Sequence, residues 1–323
     1  MQHQTDEYTI IMASICNSLT MPIRHLKVFA HSRNGHLTQA LCQLGEVHGA
    51  TATPPWRATT VTTVDPTDVG NPDVVYVVSF PQRIQDWATW PAVQRILYQV
   101  EQFPHTPMYR EEWFWRPFVS PHVVSIWDYT QANLPHYPPT LRPKVHIKPF
   151  PPICLKPGPL SPLPLPKEGP IDVLFYGYGN DRRNQLMNAL MMYLVPRGVS
   201  VRYLQGIYGD ALQPHIRHAK VVLNLHFFDA GTSYLETYRL NELLAHRVAI
   251  VSELPSDADK RTVPMYRRAG VEFVPAVRTT MDMLRLAVVI ECFIREPWRR
   301  ALATNMNHTL MDSVKKHFIQ GIG

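Results

Sequence analysis

The chain has 323 residues, enough for two domains of ordinary size. Apolar residues make up 45% and charged residues 18%, which excludes a disordered chain. The formal net charge of +6 suits phosphate-bearing ligands: nucleotides, nucleic acid or an acidic membrane surface.

Cys16, Cys42, Cys154 and Cys292 stand far apart with no Cys-x-x-Cys pair. That excludes a disulfide framework and a zinc knuckle, and fits thiols in a reducing compartment. No apolar run reaches the roughly 18 residues that span a bilayer. The stretch 8–23 is broken by Ser, Asn, Cys and Thr, and Asp6 and Glu7 precede it where a signal peptide carries Lys or Arg. Residues 1–24 read as an N-terminal arm and the protein as cytoplasmic.

In chain order, residues 25–30 read as a strand. Residues 37–47 read as a helix with Leu37, Ala40, Leu41 and Leu44 on one face. Residues 73–79 are a buried strand, 90–103 have helical spacing, and 122–127 and 144–148 are strands. Nine prolines then fall within 149–170 (Pro149, Pro151, Pro152, Pro157, Pro159, Pro162, Pro164, Pro166 and Pro170). Proline fixes φ and removes a donor, so this is neither helix nor central strand but an extended linker. A polyproline II docking ligand has the same composition.

After the linker, strands are predicted at 171–176, 199–204, 221–226, 248–252 and 271–274. Helices are predicted at 183–194, 210–219, 234–245, 281–294 and 297–318. Strand–helix alternation twice over predicts an α/β fold of two Rossmann-like parallel-sheet domains, 25–148 and 171–294, facing across a cleft. Residues 295–323 are read as a C-terminal helix that could cross back to the first domain.

Four segments carry chemistry. In Phe175-Tyr-Gly-Tyr-Gly-Asn-Asp-Arg-Arg183 a strand meets a turn with Gly177 and Gly179, then Arg182 and Arg183 open a helix. Glycines let a ligand approach the backbone, a helix N-terminus offers free N–H groups, and guanidiniums fork onto phosphate. A tight turn with solvated arginines has the same sequence. The second segment runs from Asn224 through His226, Thr232 and Ser233 to a helix carrying Glu236, Arg239 and Glu242 at three-residue spacing. The third, Ala30-His-Ser-Arg-Asn-Gly-His36, offers His31 and His36 as general bases, or Ser32 and Asn34 as helix caps beside exposed histidines. The fourth mixes aromatics with carboxylates: Met108 to Phe118, then Trp127-Asp-Tyr-Thr-Gln-Ala-Asn133, with Asp128 read as a cleft residue. Such mixtures bind sugars and also build cores. No His-Glu-x-x-His or His-x-His spacing occurs among the 15 histidines. Asp257-Ala-Asp259 reads as a helix-start or loop feature, so no metal and no cofactor is expected.

The segment 171–253 resembles the donor domain of GT-B glycosyltransferases, above all the retaining group with a Glu…Glu-Ala-Leu-Ala-x-Gly-x-Pro-Val-Val signature. Here it stands as Glu236, then Glu242-Leu-Leu-Ala-His-Arg-Val-Ala-Ile-Val-Ser-Glu253. The Arg239-Leu-Asn-Glu242 and Trp127-Asp-Tyr-x-x-x-Asn133 runs are similar to small glycosyltransferase-like proteins of bacteria and large DNA viruses. The resemblance implies that Gly177, Gly179, Arg182, Arg183, His226, Thr232, Ser233, Glu236, Arg239 and Glu242 bind a nucleotide-diphosphate sugar such as a UDP-sugar. It puts Glu242 on the ribose, Glu236 near the sugar, and Arg182 or Arg183 near the diphosphate. His31, His36, Asp128 and Glu236 are then the catalytic candidates. The acceptor is a glycan, a protein or a modified DNA base. Five residues separate the two glutamates where the signature has seven, and His246-Arg247-Val248-Ala249 replaces Gly-x-Pro-Val. Those departures motivate a rival reading, a non-catalytic GT-B-like binding or virion-associated structural protein. The basic charge motivates a third, a DNA-modifying glycosyltransferase; a viral protein of either kind would reside in host cytoplasm or the virion.

Overall fold

The computed structural model describes residues 25–30, 37, 41–42, 57–81, 84, 90–148, 171–229, 232–297 and 299–300. The chain divides into two compact units, Met1–Pro151 and Pro152–Gly323, with the division inside the proline-rich segment.

The first unit holds a sheet of β1 (His25–Phe29), β2 (Arg57–Val61), β3 (Val74–Ser79), β4 (Gln94–Gln99), β5 (Val123–Asp128) and β6 (Val145–Ile147). The order is β2-β1-β3-β4-β5-β6 and every pairing is parallel. Two features differ from expectation. The helical spacing at 90–103 contains strand β4, whose Arg95 to Gln99 are all buried. An inner parallel strand is covered on both faces, so its apolar run lacks the two-residue alternation that marks a strand. Strand β2, Arg-Ala-Thr-Thr-Val, lies mostly exposed at the sheet's edge and carries too little apolar signal to stand out. Of the helix expected at 37–47, the described residues Leu37, Leu41 and Cys42 are helical, and Leu37 and Leu41 are buried.

The aromatic-rich segment forms core. A short helix α1 (Glu112–Trp115) contributes Phe114, which packs with Phe103, Phe118 and Tyr137 under β3, β4 and β5. The Phe103 ring lies 5.4 Å from Trp115 and 5.0 Å from Tyr137, both edge-on, a favoured aromatic geometry.

The second unit holds β7 (Ile171–Tyr176), β8 (Val201–Leu204), β9 (Ala219–Asn224), β10 (Ala249–Glu253) and β11 (Val271–Val274), all parallel, in the order β11-β10-β9-β7-β8. The helices are α2 (Asp181–Leu194), α3 (Gln213–His218), α4 (Thr237–Ala245), α5 (Val263–Arg268) and α6 (Thr280–Arg295). Leu186, Met187, Leu190 and Leu194 of α2 share one core with Leu286, Ala287, Ile290 and Phe293 of α6. Ile216 of α3, Leu240, Leu243 and Leu244 of α4, and Val263 and Tyr266 of α5 build the core on the other face. The chain leaves β7 outward to β8, then returns to β9 on β7's other side. The gap between the carboxyl ends of β7 and β9 is therefore the point where strand order reverses, which is where open α/β sheets bind ligands.

Local chemistry sets the helix starts at that edge. Asn180 caps α2, its Oδ1 accepting from Arg183 N at 2.9 Å. Thr279 and Asp282 form a capping box on α6. Helix α4 begins at Thr237, later than the sequence pattern suggests, because Asp229, Ser233 and Asp259 hold the preceding residues in turns. Ser233 Oγ donates to Asp229 O, and Leu235 N donates to Asp259 Oδ2 at 2.7 Å. Asp257 and Asp259 open a 3-10 helix, as the sequence reading placed them.

Candidate nucleotide site

Three arginines and two glutamates converge where β7 and β9 end. Arg183 is buried. Its Nη2 donates to Glu236 Oε1 at 2.7 Å and to Leu225 O at 2.6 Å, and its Nη1 donates to Tyr178 O at 3.1 Å. Its guanidinium also lies 5.2 Å from the Phe175 ring centre and 5.1 Å from that of Phe227. Burial pulls this guanidinium down to about 10, against the attraction of Glu236, so it stays charged at neutral pH. Arg239 reaches in from α4: its Nη2 contacts Glu236 Oε2 at 3.0 Å and its Nη1 donates to Asn224 Oδ1 at 3.3 Å. Burial raises the pKa of Glu236, and the Arg239 and Arg183 charges outweigh that, so the net shift is downward.

Arg182 takes a separate partner. Its two Nη atoms hold Glu253 bidentately, at 2.5 Å to Oε1 and 3.1 Å to Oε2, and Nη1 also donates to His226 O. Glu253 is fully buried and further accepts from His226 N at 2.7 Å and Val277 N at 2.8 Å. This one ion pair ties together the ends of β7, β9, β10 and β11. Neither Arg182 nor Arg183 is a solvated arginine on a bare turn.

The two glycines of the turn are there for space. Gly177 has φ +138°, and a Cβ on it would come within 2.9 Å of Arg239 Nη2 and 3.4 Å of Arg183 Nη1. A Cβ on Gly179 would meet Gln205 Oε1 at 2.7 Å and Tyr203 Oη at 2.9 Å. Side chains at either position would push on the guanidiniums or on the loop after β8.

Glu242 lies one turn beyond Arg239, partly buried, and its Oε2 accepts from Tyr176 Oη at 2.9 Å. Burial raises its pKa, with the Tyr176 hydrogen bond and Arg239 opposing. His226 is fully buried, its Nε2 lies 3.0 Å from Leu254 O, and burial lowers its pKa. A neutral ring with its proton on Nε2 satisfies that contact. Thr232 and Ser233 bond back to Asp229 O and shape the loop before α4. A groove of about 1110 Å³ opens beside Arg182, with Asn180, Phe227, Phe228, Val277 and Met283 in its walls.

The first-unit candidates stand differently. Asp128 is fully buried and serves the turn after β5: Oδ1 accepts from Thr130 N, and Oδ2 accepts from Asn133 Nδ2 at 3.0 Å and from Tyr137 Oη at 2.8 Å. Asn133 also donates to Glu101 O and accepts from Phe103 N. The Trp-Asp-Tyr-x-x-x-Asn run is thus a staple between two strand ends, which corrects the reading of Asp128 as a cleft residue. His31 and His36 lie outside the described residues. Among the described residues no group of three His, Cys, Asp or Glu side chains is placed to hold a metal ion.

Sequence reading missed three residues. Asn180, Tyr176 and Glu253 have roles here that the motifs alone do not assign: a helix cap, the anchor of Glu242 and the partner of Arg182. A carboxylate closing a buried strand needs donors or a cation to answer it, and that requirement is the signal the sequence offers for the Glu253–Arg182 pair.

No family model matches the chain, and no curated protein matches its sequence. Solved structures do. An alpha-glucosyltransferase in complex with UDP-glucose and DNA containing an abasic site is 10% identical and aligns with a TM-score of 0.58 over 89% of this chain and 94% of its own. The chain has a GT-B glycosyltransferase-like fold. WaaG, a glycosyltransferase involved in lipopolysaccharide biosynthesis, is also 10% identical and aligns with a TM-score of 0.49 over 89% of this chain and 95% of its own. The five charged groups gather at the carboxyl edge of β7 and β9.

Proposed function

We propose that the protein is a metal-independent glycosyltransferase that takes a sugar from a nucleotide diphosphate. The observation that carries this is the gathering of three guanidiniums, Arg182, Arg183 and Arg239, at the switch point, held there by Glu253 and Glu236. These guanidiniums border a two-glycine turn and the start of α2, the chemistry that receives a diphosphate. Glu242, fixed by Tyr176, accepts the ribose hydroxyls. The sugar faces the groove beside Arg182. UDP-glucose, bound by the similar alpha-glucosyltransferase, is the first donor to test.

Turnover is tested by incubating the protein with UDP-glucose, UDP-N-acetylglucosamine and GDP-mannose, with and without EDTA, and measuring released nucleoside diphosphate. Glycan, protein and duplex DNA acceptors are included, DNA because the similar enzyme was solved with it. Release of one diphosphate, insensitive to EDTA and reduced at least tenfold in Glu242→Ala, is expected. Absence of release with every donor and acceptor contradicts the reading.

One observation favours a second reading, a nucleotide-sugar-binding protein without transfer. Glu236 is spent on Arg183 and Arg239, where the resembling family keeps a glutamate for the sugar. Tight binding with no release in the same assay would select it.

A further inference from the structure

An exposed aromatic side chain sits in the middle of the phosphate turn. Tyr178 stands between Gly177 and Gly179 and is 66% exposed. Among the described residues, it and Trp113, at 42%, are the large aromatic side chains most open to solvent. Exposed tyrosines on mobile loops are ordinary; this one is on a fixed turn. Gly177 N donates to Leu204 O at 3.0 Å, and Arg183 Nη1 donates to Tyr178 O at 3.1 Å. The backbone that carries the ring is therefore held by the same guanidinium that binds Glu236.

The ring has a partner. Tyr208, in the loop after β8, lies with its ring centre 6.1 Å from that of Tyr178 and tilted by 47°. Gln205 of the same loop packs its amide against Gly179. Arg183 bonds the Tyr178 carbonyl and Arg239 lies against the neighbouring Gly177, which places the aromatic pair beside the arginine cluster. The pair lies on the β8 side of β7, while the groove beside Arg182 lies on the β9 and β11 side. A ligand whose diphosphate rests on the turn has one end toward each. The groove side offers room and walls of mixed character, Arg182, Asn180 and Asp229 beside Phe227 and Phe228; the β8 side offers an open π-face on the turn itself and one amide with a donor and an acceptor. Flat heteroaromatic rings stack on such a face, and side-chain amides read their edges.

We propose that Tyr178, backed by Tyr208, is the stacking platform for the donor's nucleobase, and that Gln205 reads the base edge. This assignment rests on the nucleotide-sugar reading and names the end of the ligand that the β8 side takes. Tyrosine stacking is tolerant of the base, so Tyr178 sets affinity while Gln205 sets the choice among bases.

The test is calorimetric titration of the full chain with UDP, GDP, UDP-glucose and inorganic pyrophosphate, on wild type, Tyr178→Ala, Tyr178→Phe and Gln205→Ala. Tyr178→Ala is expected to weaken UDP and UDP-glucose by about 5- to 150-fold, the range of one base–aromatic stack. Pyrophosphate binding stays within twofold, and Tyr178→Phe keeps the wild-type affinities. Gln205→Ala narrows the ratio between UDP and GDP. Because Tyr178 is mostly solvent-exposed, its variants keep the wild-type melting temperature, which separates lost stacking from lost fold. If wild type binds nucleotides and Tyr178→Ala binds them equally well, the platform is refuted and the nucleotide reading stands. If Tyr178→Ala weakens UDP-glucose but not UDP, the ring serves the sugar and the base assignment is overturned. If wild type binds pyrophosphate but no nucleotide, both this inference and the nucleotide-sugar reading fall.

Discussion

Two fully buried carboxylates, Asp128 and Glu253, close parallel strands in the two units, and their surroundings differ in kind. Asp128 accepts from neutral donors that include a backbone amide, an asparagine and a tyrosine, each within nine residues of it. Glu253 is held by a guanidinium from 71 positions away and by amides from two other loops. The first network folds one turn onto its own strand. The second joins four strand ends and sits next to further cations that are only partly covered, Arg239 and Arg182 itself. A buried carboxylate answered by local neutral donors is architecture. One answered by arginines at a sheet's switch point stabilises an edge that still has positive charge to offer a ligand.

The comparison is broken or sharpened first by Arg182→Ala. It leaves Glu253 buried with amide donors alone, and breaking a buried pair from one side costs about 3–5 kcal/mol. Denaturant unfolding of the variant reads that loss directly. Removal of the neutral-donor network by Asp128→Ala strands the Asn133 and Tyr137 donors, at about 1–3 kcal/mol. Asp128→Ala also leaves nucleotide affinity unchanged, whereas any network of the second kind alters it. Equal stability losses in the two variants would erase the distinction between a charge-held and a dipole-held carboxylate.

Much of this was legible in the sequence, and the exceptions have physical causes. Strands β7 and β11 match their predicted bounds because turn residues flank short, β-branched or aromatic runs: Gly177 follows Tyr176, and Gly270 precedes Val271. Strand β4 hid because burial on both faces removes the alternation. The site's residue types were legible, since Gly177, Arg183, Glu236, Arg239 and Glu242 do meet at one edge. Their partners were not. That Arg182 turns to Glu253 while Arg183 turns to Glu236 depends on which side of α2 each residue leaves from, and on the late start of α4. Asp128 misled because a carboxylate among aromatics suits both a sugar site and a staple, and only burial separates them.

The smallest effect separates the charged edge from the rest of its unit. His246, at the far end of α4, is pulled down to about 4 by burial, with Arg217 adding repulsion. An unfolded histidine titrates near 6.5, so between about 6.5 and 4 the unfolded chain takes up a proton that the folded chain refuses. Stability therefore falls as pH drops through that window. Glu236, whose folded value lies below its unfolded one, adds a loss in the same direction at lower pH. His246→Gln should flatten the upper part of the curve without touching nucleotide affinity, as followed by melting temperature from pH 7 to pH 4. A curve unchanged in the variant would remove His246 from the account.

The central claim is that the guanidiniums at the β7–β9 edge receive a diphosphate. Arg239 tests it best, because it lines Gly177 and is less deeply committed than Arg183. Titration of wild type and Arg239→Ala with UDP at two salt concentrations is the direct measurement. The account predicts binding by wild type that weakens with salt, and an affinity at least about tenfold lower in the variant, the loss of one charge-assisted contact. Equal UDP affinity in the folded variant, or no UDP binding by wild type, would contradict it.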